Sequence, residues 1–186
     1  MRTFVAIDLE PEIKDSIAAF IDQHKRFQAD IKWASRQGLH LTLKFLGEIN
    51  QETASKVETN LDFISNDFSA FRLSFEGTGW FPAAKRTPRV FWIGVKEHEN
   101  IIPLQKSVET NLNKIGFPLE KRKFHPHLTL GRVRSTRNLD AVRKELTEHC
   151  DKNFGSMTIK HLIFFQSILK PTGAEYSIIS KHGLKL

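Results

Sequence analysis

Apolar positions along this chain follow two alternating rhythms. Residues 2–9 form a β-type run, and Phe71, Leu73 and Phe75 alternate with polar neighbours as in a half-buried strand. Between these, Ile13, Ile17, Phe20, Ile21 and His24 recur at helical spacing, so an amphipathic helix is predicted over roughly 11–28. Pro11 sits in its first turn, flanked by Glu10 and Glu12, which suit the positive end of a helix dipole. Ile31 to Trp33 is a short extended piece. Gly38 breaks the chain before a strand at 39–46, which Gly47 is expected to end. Ala54, Val57, Leu61 and Ile64 predict a helix over 51–64, and Gly77-Thr78-Gly79 turns or bulges the chain before Trp80-Phe81-Pro82.

The second half repeats the order. A strand is predicted over 89–95, then a helix over 101–115 stopped by Gly116 and Pro118. A strand follows at roughly 123–133, then a shorter helix near 138–149. Strands at 157–169 and 175–184 close the chain, joined by a turn at Pro171-Thr172-Gly173. Each half reads strand, helix, strand, helix, strand. The expectation is an α+β protein of two pseudo-symmetric lobes, mainly antiparallel sheet with outer helices, facing each other across a cleft. No low-complexity stretch or long linker separates the halves, so 1–186 is taken as a single bilobal domain.

The third element of each half carries the same tetrapeptide, His40-Leu41-Thr42-Leu43 and His127-Leu128-Thr129-Leu130. Successive strand side chains point to opposite faces. His and Thr of each copy therefore share one face, and the leucines share the other, in a core. Two such strands lining one cleft would offer two imidazoles and two hydroxyls. With an unperturbed pKa near ~6.5, one imidazole can be neutral while the other is protonated. That pairing suits cleavage of a phosphodiester, one group activating the attacking oxygen and the other protonating the leaving oxygen. Thr42 and Thr129 can donate to non-bridging phosphate oxygens.

The 186-residue chain carries a formal net charge of +7, which favours a polyanionic partner, with nucleic acid the first candidate. Lys121, Arg122 and Lys123 precede the second tetrapeptide and Arg132, Arg134 and Arg137 follow it. Lys85, Arg86 and Arg89 form another basic group. Cys150 is the only cysteine, so no internal disulfide forms. The opening residues lack the basic start and long apolar stretch of a signal peptide, and no apolar run reaches the ~18 residues of a spanning helix. The expected location is the cytoplasm, with no membrane association. His125-Pro126-His127 has metal-compatible spacing, but no Asp or Glu lies within either motif, so no metal and no cofactor is expected. His24, His98, His149, His161 and His182 read as surface or satisfied structural residues.

These motifs resemble those of the RNA 2',3'-cyclic phosphodiesterases, also called 2'-5' RNA ligases, of the two-histidine phosphoesterase superfamily. The similarity extends to Arg2-Thr3-Phe4-Val5-Ala6-Ile7-Asp8-Leu9, to Lys44-Phe45-Leu46-Gly47-Glu48 and to Gly77-Thr78-Gly79-Trp80-Phe81-Pro82. It includes residues 88–95 and 124–132, and near the end Phe165-Gln166-Ser167 and Gly173-Ala174-Glu175-Tyr176. The resemblance implies a bilobal fold and hydrolysis of a 2',3'-cyclic phosphate at an RNA end to a 2'-phosphate. It implies His40 as proton donor and His127 as proton acceptor, which the near-symmetric motifs do not assign by themselves. Reversal with a 5'-hydroxyl in place of water would form a 2'-5' linkage.

By the same resemblance Arg132 binds the phosphate. Strict alternation from His127 puts Arg132 on the wrong face, so a bulge or strand end at Gly131 is needed to turn it inward. Lys44 has the parity of His40 and Thr42, whereas Phe45 has the parity of the core. Trp33, Trp80 and His125 are candidates to stack on a base, with packing the leading role for each. The partner expected is RNA with 2',3'-cyclic phosphate ends, acted on by a monomer. Two other functions fit the chain less well: a two-histidine phosphoesterase for small cyclic nucleotides, and a non-catalytic RNA-binding module, which would favour Arg and Lys over paired histidines.

Overall fold

A computed structural model describes all residues except 84–85, 97–98 and 171–172. Nine strands and four α-helices are assigned among them. The order is β1 (Arg2–Asp8), α1 (Pro11–Lys25), β2 (Ile31–Trp33), β3 (His40–Glu48), α2 (Gln51–Ser65), β4 (Phe71–Phe81) and β5 (Val90–Lys96). It continues with α3 (Ile101–Lys114), β6 (His127–Val133), α4 (Leu139–Glu148), β7 (Asn153–Ile159), β8 (His161–Lys170) and β9 (Gly173–Gly183).

The strands form two sheets, ordered β3-β1-β8-β9 and β2-β6-β5-β4-β7, and every pair is antiparallel. The lobes are pseudo-symmetric, but they are not the two halves of the chain. β2 and β4, from the first half, belong to the second sheet, while β8 and β9 return to the first. The helices cross as well. α1 follows a strand of the first sheet yet packs on β7 of the second, and α3 follows β5 yet packs on β3. α2 lies against β8 and β9, and α4 against β4. Periodicity reveals which residues of an element are buried, not which partner buries them.

The leucines of both tetrapeptides, Leu41, Leu43, Leu128 and Leu130, join one continuous core that draws on both sheets and all four helices. β1 differs from a half-buried strand, because Thr3 to Ile7 are all buried. Val5 and Ile7 face the main core, and Phe4 and Ala6 form a second small cluster with Ile163, Phe165 and the half-buried Tyr176.

Three boundaries differ from expectation. Residues 123–126 are not strand, and β6 starts at His127. The segment 157–169 is not one strand: the chain breaks at Lys160, where it leaves the second sheet for the first. Gly47 does not end β3. It adopts φ +76°, which glycine tolerates without a Cβ clash, and the strand passes through a bulge to Glu48. Gly77-Thr78-Gly79 is likewise a bulge inside β4. Of the predicted turn, Pro171 and Thr172 lie outside the described residues, and Lys170 pairs with Gly173 across the β8–β9 hairpin.

Candidate active site

The two tetrapeptides open β3 and β6, and these two strands are in contact. Each strand is bulged at the last leucine of its motif. Val5 pairs with Lys44 and Ala6 with Thr42, so Leu43 is the extra residue in β3. Phe91 pairs with Gly131 and Trp92 with Thr129, so Leu130 is the extra residue in β6. One extra residue reverses the face of everything beyond it. His40 and Thr42 are half-buried, as are His127 and Thr129, with the motif leucines buried opposite them.

Beyond the bulges the parity inverts. Arg132 is exposed and shares the face of His127 and Thr129, as the phosphate-binding expectation required. Lys44 does not share the face of His40. It is 6% exposed, and its Nζ donates to Glu109 Oε2 at 2.6 Å and to the Pro118 carbonyl at 2.8 Å. Phe45, expected in the core, is instead 63% exposed, and its ring lies 5.9 Å from that of Phe4. Gly131 lets β2 pack closely on β6, because a Cβ there would come within 2.7 Å of Ile31 Cγ2 and 3.1 Å of the Trp33 ring.

Aromatic rings surround both histidines. The His40 ring centroid is 4.7 Å from Phe4, 5.1 Å from Tyr176 and 5.9 Å from Phe165. His127 meets Phe81 edge-on at 5.2 Å, and Phe81 in turn packs 5.3 Å from Trp92. Trp92 sits directly above Gly79, where a Cβ would come within 2.4 Å of the indole. Sequence reasoning missed these rings, since their proximity depends on strand pairing and on residues far apart in the chain. Of the three stacking candidates, Trp33 and Trp80 pack partly buried against the main core, while His125 is exposed.

A sequence profile of the 2'-5' RNA ligase superfamily matches residues 3–167. The chain belongs to the 2'-5' RNA ligase superfamily. An RNA 2',3'-cyclic phosphodiesterase of Archaeoglobus fulgidus is 38% identical over 95% of this chain and 96% of its own length. One of Methanocaldococcus jannaschii is 34% identical over 97% of this chain and 99% of its own. A crystal structure from Thermus thermophilus superposes with a TM-score of 0.83 at 25% identity, covering 100% of this chain and 98% of that one. Escherichia coli LigT in complex with 3'-AMP shares the fold at a TM-score of 0.78 and 23% identity, over 100% of this chain and 98% of its own.

Within this superfamily member the two histidines sit in different electrostatic surroundings. Burial is the main influence on both and disfavours the charged ring, lowering the His40 pKa to about 4 and that of His127 below its ordinary value. The charges beside them oppose each other. Asp8, the cross-strand partner of His40, pulls the His40 pKa up, and Lys14, in ion pair with Asp8 at 2.6 Å, pulls it down. Arg132 pulls the His127 pKa further down. His127 Nδ1–H donates to the His125 carbonyl at 2.6 Å, which fixes the tautomer and leaves the Nε2 lone pair free. His40 hydrogen-bonds the Gly38 backbone, again two residues upstream.

The remaining histidines divide. His161 is exposed, and His182 is buried and satisfied by Asp62 at 2.6 Å and Ser180 at 2.9 Å. His98 lies outside the described residues, as does Lys85. Among the described residues one trio of metal-type donors comes together, and it contains neither motif histidine.

Proposed function

We propose that this protein hydrolyses RNA 2',3'-cyclic phosphate ends to 2'-phosphomonoesters by metal-independent acid–base catalysis, with His127 as proton acceptor and His40 as proton donor. The observation that carries this reading is the pair of equally bulged His-x-Thr strands whose histidines differ in neighbouring charge. Burial, with Arg132 adding to it, favours the neutral form of His127, whose Nε2 takes the proton from the attacking water. Asp8 favours a protonated His40, which delivers its proton to the departing 3' oxygen. Thr42 and Thr129 donate hydroxyl hydrogens to the non-bridging oxygens, and Arg132 holds the phosphate. The aromatic rings beside both histidines lower the polarity around them, which strengthens each of these interactions.

Burial lowers the His40 pKa in the free protein, but a bound phosphate anion opposes that effect and recruits the proton. The substrate thus helps to create its own acid. The reverse reaction, with a 5'-hydroxyl taking the place of water, gives a 2'-5' linkage, and mass action in water favours hydrolysis. No helix among the described residues is long and apolar enough to cross a membrane. We place the enzyme in the cytoplasm as a monomer whose residues 1–186 act as one domain.

The test is incubation of oligonucleotides ending in a 2',3'-cyclic phosphate with excess EDTA, followed by identification of the product. Turnover to a 2'-phosphate is expected. A 3'-phosphate product, or loss of activity on chelation with rescue by a divalent ion, would overturn the mechanism. Turnover of small cyclic nucleotides in preference to RNA would overturn the substrate.

A further inference from the structure

The helical side of the second sheet holds a cluster that the two-histidine chemistry does not use. His24 lies in the last turn of α1, Glu145 in the last turn of α4, and His149 caps α4. One potential ligand atom from each lies within 4.8 Å of the other two. His24 is 3% exposed, and its Nε2 is buried with no hydrogen-bond partner. We propose that His24, Glu145 and His149 form a binding site for a divalent transition-metal ion of the zinc class, which ties the end of α1 to the end of α4.

Both imidazoles are prepared for this role. His24 Nδ1–H donates to the Phe20 carbonyl at 2.7 Å, and His149 Nδ1–H donates to the Glu145 carbonyl at 2.8 Å. A backbone carbonyl on one ring nitrogen is the usual support of a metal-bound imidazole, since it fixes the tautomer and leaves the other nitrogen as the ligand. Glu145 is held as well, because its Oε1 accepts from Arg26 Nη2 at 2.7 Å, which leaves Oε2 as its ligand atom.

Two nitrogens and one carboxylate oxygen are a donor set that zinc accepts, with water as the fourth ligand. Bonds of that class need donors roughly 3.4 Å apart, so binding a metal would draw the three side chains together. The negative ends of two helix dipoles also meet here and favour a cation. A structural histidine alone leaves the buried His24 Nε2 unsatisfied, and a metal bond removes that penalty.

The test uses untagged full-length protein stripped of metal and titrated with zinc by calorimetry and with cobalt by absorption. Wild type should bind one equivalent with ligand-field bands, and zinc should raise its Tm. His24→Gln, Glu145→Gln and His149→Gln should each weaken binding at least about tenfold and abolish the Tm shift. Should His24→Gln fail to fold, the half-exposed Glu145 and His149 carry the test. A double change of His125 and His127 to Ala should leave metal affinity unchanged. Absence of stoichiometric binding to wild type, or affinity that follows His125 and His127, would overturn the proposal.

Discussion

Phe45 and Arg132 occupy the same position in their two motif strands. Each follows a bulged leucine and one buried residue, and each thereby returns to the face of its histidine. One lobe places an apolar ring there and the other a guanidinium. The two lobes share a backbone device and differ in the chemistry it displays, which makes a near-symmetric pair of motifs chemically unequal.

Arg132→Ala should lower kcat/KM by roughly 10–100-fold, the loss expected for a charge-assisted hydrogen bond to phosphate. The effect should fall more on KM than on kcat. The slope of log affinity against log salt for RNA should also drop by about one. Steady-state kinetics and a salt titration check both, and an unchanged slope would remove Arg132 from the phosphate.

His40→Ala and His127→Ala should each reduce turnover by about 10²–10⁴ and leave the fold intact, because both side chains lie opposite the leucine core. The double variant should lose less than the product of the two effects, since the pair acts as a unit. Single-turnover rates with circular dichroism as a folding control provide the check. A near-wild-type rate in either single variant would contradict its role.

The rate should follow a bell in pH, because one histidine must be neutral and the other protonated. In the free enzyme both limbs lie below the ordinary histidine value, since burial lowers both pKa values, that of His40 to about 4. Bound phosphate raises the pKa of His40, so the alkaline limb of kcat should lie at higher pH than that of kcat/KM. Coincident limbs would argue against proton recruitment by the substrate. Stability carries the same signature. A histidine whose folded pKa is depressed contributes fully above ~6.5, and its contribution is lost as pH falls from there through about 4. Denaturant unfolding at pH 7 and pH 4.5 should therefore show a loss that His40→Asn reduces.

Lys44→Ala should destabilise the protein by about 3 kcal/mol, because it leaves the largely buried Glu109 carboxylate without its cation. Lys44→Met with Glu109→Gln should restore most of that stability. KM of the folded Lys44→Ala enzyme should stay near wild type, since the ammonium points away from His40. Thermal denaturation and steady-state kinetics separate the two effects, and a raised KM at full folding would return Lys44 to the site.

Much of this protein was written in its sequence. The repeated His-x-Thr, the leucines opposite it and the helices α1 to α4 all follow from local periodicity, which the backbone enforces residue by residue; the need for a bulge before Arg132 came only from the phosphate role that the family resemblance implied. Tertiary structure decided what periodicity cannot express. The bulge at Leu43 sent Lys44 inward to Glu109 and Phe45 outward, because a bulge is set by how two strands register and leaves no separate mark in the pattern of one strand. The exchange of β2, β4, β8 and β9 between lobes, and the break at Lys160, came from the choice of pairing partners, which many apolar strands satisfy equally well. The difference between His40 beside Asp8 and His127 beside Arg132 arose from cross-strand neighbours and from a reversed face, and so only the folded chain made the two histidines distinct.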